Sequence, residues 1–215
     1  MAVELTGPAD GPLDEPLALR VRGAGPGTRL TWRARVRDDD GRVWRATADT
    51  AGGLDETWAP AKSPAAPHAA LASLRPVRVD VRVETPEGHT ATRTVTRHLL
   101  ADGVRVRRWK GEITASLVLP AEPAAPPVVL DDPDALLAAA LLASRGVMTL
   151  VLKKGDPDVA AAQLEGVPGG AGARMLGNVP IPPGVPGSTA AAAWDTLLAD
   201  LGARPRQAVA GDGSA

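Results

Sequence analysis

Few side chains in this 215-residue sequence are equipped for chemistry, and their spacing narrows the choice further. There is no cysteine, which excludes disulfides, thiolate metal sites and a cysteine nucleophile. The three histidines, His68, His89 and His98, fall in one stretch of the chain. His98, between Arg97 and Leu99, reads as a general base or, more simply, as an exposed strand histidine. Asp38-Asp39-Asp40-Gly41 offers three carboxylates to a divalent cation, but the acidic spacing of a calcium loop and its distal Glu are missing. A hairpin turn explains it better, because Asp-Gly tolerates positive φ. Arg105, Arg107, Arg108 and Lys110 form the densest basic stretch, and guanidinium forks suit phosphate oxygens. Arg20, Arg22, Arg33, Arg35 and Arg37 repeat the habit elsewhere, so a solvated strand face accounts for them equally. Gly166 to Gly172 is glycine-rich without the Lys-Ser/Thr of a phosphate loop. Ser214, in Gly211-Asp212-Gly213-Ser214-Ala215, is a candidate nucleophile, although a serine so placed reads readily as a frayed tail. No cofactor or metal is expected.

Composition limits the setting. The formal net charge of −1 removes the usual electrostatic case for nucleic acid or an anionic membrane. A 44% hydrophobic content argues against disorder of the whole chain. The length is enough to bury roughly 70% of the unfolded surface in one large or two small domains. No run approaches the ~18 apolar residues of a membrane span. Met1-Ala2-Val3-Glu4 lacks the basic and apolar regions of a signal peptide, so a soluble cytoplasmic protein is expected.

The elements follow from apolar period. From Leu17 to about Leu119 apolar residues recur at every second position, the signature of half-buried strands. Leu30, Trp32, Ala34 and Val36 alternate with Thr31, Arg33, Arg35 and Arg37, and a return strand presents Trp44, Ala46 and Ala48. Val77, Val79, Val81 and Val83 alternate most cleanly, followed by strands through Thr90–Leu99, Val104–Val106 and Ile113–Leu119. Short strands joined by Gly/Pro/Asp turns predict an antiparallel sandwich over residues 1–120. Ala51 to Arg75 reads as a long connection, and Ala121 to Pro127, with its prolines, as a linker.

Beyond the linker the period changes. Val128-Val129-Leu130 is a short continuous apolar run, as in a strand covered on both faces. Asp132 and Pro133 suit a helix start, Ala135 to Ala143 is almost all Ala and Leu, and Gly146 suits the position past the end. Val147 to Leu152 is a second apolar strand, completing a parallel βαβ unit. A further helix from Ser188 places Trp194, Leu197, Leu198 and Leu201 on one side and stops at Gly202. Ala208-Val209-Ala210 is a third short strand, and residues 153–187 read as an irregular excursion. The whole is a β plus α/β chain, with residues 121–215 as the second domain.

Read in order, these residues resemble a known family. The series runs through Val3-Glu4-Leu5-Thr6-Gly7-Pro8, Leu13-Asp14-Glu15-Pro16, Gly25-Pro26-Gly27, Arg42-Val43-Trp44, Gly53-Leu54-Asp55 and Trp58-Ala59-Pro60. It continues through Gly103-Val104, Leu117-Val118-Leu119-Pro120 and Pro127 to Leu152. It is similar to the acyl-CoA thioester hydrolases and bile acid-CoA:amino acid N-acyltransferases. The resemblance implies an immunoglobulin-like β-sandwich followed by an α/β-hydrolase domain, and an acyl-CoA thioester as substrate. It further implies a Cys or Ser nucleophile on a strand-to-helix elbow, with Asp and His following. The elbow exposes the nucleophile above the sheet while the next backbone N–H holds the oxyanion.

This chain departs from that pattern. Aligning Gly211 with the first glycine of Gly-x-Ser-x-Gly puts Gly213 at the nucleophile position; aligning Ser214 there puts Asp212 where glycine belongs. No histidine follows Ser214. Asp131-Asp132-Pro133-Asp134, after the first parallel strand, makes a poor anion site. The expectation is a truncated, inert hydrolase-like region whose sheet edge at Ala208 to Ala210 is open to a protein partner. A non-catalytic module pairing with another subunit is the alternative.

Overall fold

A computed structural model describes residues 2–50, 58–60, 69–177, 179–180, 182, 184–185 and 191–206. The chain divides into two compact units: residues 1–98 with 184–189 and 207–215, and residues 99–183 with 190–206.

The first unit is built from β1 (Glu4–Thr6), β2 (Asp10–Pro12), β3 (Arg20–Arg22), β4 (Leu30–Arg37), β5 (Val43–Thr50), β6 (Trp58–Pro60), β7 (Val77–Glu84) and β8 (Thr90–His98). Six of these form one sheet in the order β2-β8-β7-β4-β5-β6, antiparallel except where β2 joins β8; β1 and β3 pair separately. The expected alternation is realised. Leu30, Trp32, Ala34 and Val36 of β4 are buried, as are Val77, Val79, Val81 and Val83 of β7, while the intervening arginines are exposed. With no Phe or Tyr to fill the interior, Trp32 and Trp44 do so, each 1% exposed. The register pairs Trp32 with Ala48 and Trp44 with Val36, so bulky and smaller residues meet across the hairpin. At its turn Gly41, at φ +77°, donates its N–H to the Asp38 carbonyl at 3.0 Å. Two arginines bind backbone carbonyls: Arg93 donates to Leu5 and Gly7, and buried Arg97 to Leu13 and Glu15.

The second unit holds β9 (Arg105–Lys110), β10 (Thr114–Leu119), β11 (Ala125–Leu130), α1 (Leu136–Ser144), β12 (Val147–Lys154), α2 (Pro157–Glu165), β13 (Arg174–Leu176) and α3 (Ala191–Leu201). The sheet order is β13-β11-β12-β10-β9. β11 is parallel to β12 and β13, whereas β10 is antiparallel to both β12 and β9. The anticipated strand–helix–strand unit is therefore present as β11-α1-β12. Gly146 follows the helix at φ +92°, where a Cβ would stand 2.6 Å from that of Ala124.

Three expectations are corrected here. The strands at 104–106 and 113–119 do not complete the first sheet; β9 and β10 pair within the second. The reason lies in burial: Ser116 and Val118 are buried as well as Ala115 and Leu117, so β10 is covered on both faces rather than half-buried. The prolines at 126 and 127 lie inside β11, at a register shift between Ala125 and Val128, rather than in a free linker. Residues 153–187 are not wholly irregular. Asp156 accepts the N–H of Asp158 at 2.8 Å and Pro157 opens α2, a start signal hidden among the surrounding glycines and prolines.

α2 buries Ala160 and Leu164 in a cluster with Ile113, Ala115, Leu117, Val129, Met148, Leu150 and Leu152. Val147, Thr149 and Val151, of opposite parity on β12, are buried too, and α1 packs on β12 and β10. In α3, Trp194, Leu198 and Leu201 are buried. The guanidinium of Arg206 grips Asp195 through two hydrogen bonds of 2.6 and 2.7 Å, holding that carboxyl below the usual range. No helix among the described residues is long and apolar enough to cross a membrane.

Candidate functional site

In parallel α/β sheets ligands bind beyond the carboxyl ends of the strands. Here those ends carry charge. β11 runs into Asp131, Asp132, Pro133 and Asp134, all exposed. Asp132 turns its carboxylate inward along the chain: Oδ1 accepts the N–H of Asp134 at 2.9 Å and its carbonyl accepts that of Ala135 at 3.1 Å. This turn delays the helix to Leu136 and uses two N–H groups that an anion would need, while Pro133 has none. The neighbouring β12 ends in exposed Lys153 and Lys154 before Asp156 caps α2. Among the described residues the ends of β11 and β12 thus present carboxylates and amines rather than a hydroxyl beside a base.

The sequence-derived candidates are dispersed. Ser214, the elbow glycines Gly211 and Gly213, and the strand expected at Ala208–Ala210 lie outside the described residues, as does His68. His89 is exposed in the turn joining β7 and β8, its carbonyl accepting the N–H of Thr85 at 2.9 Å. His98 closes β8 in the first unit, half-exposed, with Nε2 3.8 Å from Asp10 Oδ2. This His–Asp pair was not legible beforehand, because it depends on the parallel pairing of β2 with β8. At 3.8 Å the contact is longer than the hydrogen bond by which an acid orients a catalytic base.

The acidic triplet serves the turn. Asp38 is 5% exposed; Oδ1 accepts the N–H of Arg42 at 2.8 Å, and Oδ2 accepts Trp44 Nε1 at 3.0 Å and the N–H of Ala70 at 3.4 Å. Asp39 takes both the N–H and the hydroxyl of Ser73, at 2.8 and 2.7 Å, and Asp40 pairs with Arg42 at 3.1 Å. The carboxylates face different donors rather than one centre. Among the described residues no group of three His, Cys, Asp or Glu side chains could hold a metal ion.

The basic stretch Arg105, Arg107, Arg108 and Lys110 occupies β9, the edge of the second sheet, with every one of these side chains exposed. Cationic edge strands discourage pairing with foreign strands. Trp109, between them, is tied by its Nε1 to Gln163 Oε1 of α2 at 2.9 Å.

No protein-family model matches the chain. It is similar to the mitochondrial acyl-coenzyme A thioesterase 2 of Rattus norvegicus, at 33% identity over 147 residues, covering 55% of this chain and 32% of that protein. It is similar also to acyl-coenzyme A thioesterase 1 of Mus musculus, at 35% identity over 147 residues, covering 55% of this chain and 35% of that protein. The chain spans about a third of the length of these curated relatives. The resemblance carried by its ordered residues and the measured similarity lead to the same group of enzymes.

Proposed function

We propose that the chain is an acyl-CoA thioesterase-like protein, made of an immunoglobulin-like β-sandwich and the opening part of an α/β-hydrolase-like domain. Its ligand is an acyl-CoA thioester, and the chemistry of its group is hydrolysis of that thioester or transfer of its acyl chain. The similarity to two acyl-coenzyme A thioesterases is the observation that carries this reading. The mixed sheet of the second unit is compatible with it: a parallel β11-α1-β12 unit continued through antiparallel β10 to β9.

We propose further that this chain alone does not turn the thioester over. Thioester cleavage needs a nucleophile within reach of a base, and a donor set for the oxyanion. His98 has the Asp10 carboxylate as a charged partner at 3.8 Å, and the β11 end offers carboxylates where donors are needed. The purified chain incubated with medium- and long-chain acyl-CoAs is expected to release free thiol at the buffer rate, and Ser214→Ala to leave that rate unchanged. Saturable thiol release abolished by S214A would overturn the inert reading and make Ser214 the nucleophile.

A further inference from the structure

The exposed face of the six-stranded sheet gathers positive charge in a way that solubility does not require. Arg33 and Arg35 on β4, Arg45 on β5 and Arg82 on β7 line a depression of about 600 Å³, together with Asp80 and Thr94. The register sets Arg35 directly opposite Arg45, and Arg33 directly opposite Arg82. Like charges facing each other across adjacent strands destabilise a sheet. A surface needing only charge would intersperse the signs, and the chain has the acids to do so, with 25 Asp and Glu against 24 Lys and Arg.

The local acids offset only part of this charge, with Asp80 and Glu84 set against four arginines. Asp80, opposite Arg35, offsets one of these charges while its Oδ1 accepts the Thr94 hydroxyl at 2.8 Å. Arg82 reaches Glu84 only at 3.6 Å, along the strand. Arg33, Arg35 and Arg45 form no ion pair with any described residue. Their guanidinium groups present planar forks that bind phosphate oxygens in pairs. A volume of this size accepts one ligand of nucleotide dimensions.

We propose that this arginine-lined sheet face binds an oligophosphate, either free or as the diphosphate of a small ester. The site belongs to the first unit and is independent of the thioesterase reading, so either can fail alone. Full-length chain is titrated calorimetrically with inorganic pyrophosphate and, separately, with adenosine diphosphate. Saturable binding is expected for at least one; the tighter of the two identifies the ligand as free phosphate or ester. Binding should weaken about tenfold or more in Arg33→Gln/Arg35→Gln, whose lost forks carry the contact. It should persist in Arg107→Gln/Arg108→Gln, which removes two cations from the other unit. Raising NaCl from roughly 50 to roughly 300 mM should weaken binding through screening. The R33Q/R35Q chain should unfold at no lower temperature than the parent, since two repulsive pairs are relieved. Absence of saturable binding to both ligands overturns the proposal. So does an equal loss in R107Q/R108Q, which would mark binding as a response to general charge.

Discussion

Replacing Asp38 with alanine is expected to destabilise the chain by about 2 to 4 kcal/mol, the range for orphaning several buried donors at once. The carboxylate holds three N–H groups, those of Arg42, Ala70 and the Trp44 indole. The indole is the costliest to abandon, because Trp44 is among the largest fully buried side chains and water cannot replace its acceptor. Asp38→Asn should fall between alanine and the parent, since one acceptor oxygen survives while the amide points a donor at a donor. Urea denaturation of the full chain measures both. A D38A loss below about 0.5 kcal/mol, the range of an ordinary surface substitution, would show the network to be ornamental.

The second large effect is expected in the other unit. Leu150 sits in the middle of β12, 1% exposed, opposite Leu117 on β10 and Val129 on β11. It belongs to the cluster that α2 closes through Ala160 and Leu164. Truncation to alanine removes apolar surface and leaves a void that neighbours on three elements cannot fill, costing about 2.5 to 5 kcal/mol. Met175, 40% exposed on β13, provides the contrast: Met175→Ala should stay within about 0.5 kcal/mol of the parent. Equal losses for L150A and M175A would mean that β12 is not the covered centre of its sheet.

How far the sequence reveals this molecule differs by scale. Period alone marks β4, β5 and β7 nearly to the residue, because each buries a face that its own apolar spacing defines. α1 is marked by its Ala and Leu content instead, being buried at six successive residues from Ala138 to Ala143, and it begins at Leu136 rather than at the expected Asp132-Pro133 start. The partner of a strand is another matter. Alternation at Ile113–Leu119 says that one face packs but not against which sheet, and only the burial of Ser116 and Val118 shows a strand covered twice. α2 escapes notice because it buries only Ala160 and Leu164; the Asp156-Pro157 pair is the available signal. At the sites the limit is sequence distance. Asp38 reads as part of a turn, and its third donor comes from Ala70, 32 positions away. Arg33 and Arg35 read as a solvated face until the register sets Arg82 and Arg45 against them. The His98–Asp10 contact likewise exists only through a parallel pairing that no local pattern encodes.

The proposal that this chain recognises an acyl-CoA thioester without turning it over rests on its similarity to acyl-coenzyme A thioesterases and on the carboxylate-rich end of β11. Equilibrium titration with a thioether analogue of a long-chain acyl-CoA, in which no scissile carbonyl is present, tests it most directly. The account predicts saturable binding that free CoA and free fatty acid each match only weakly, since neither supplies both halves of the ligand. Failure of the analogue to bind better than free fatty acid would contradict it.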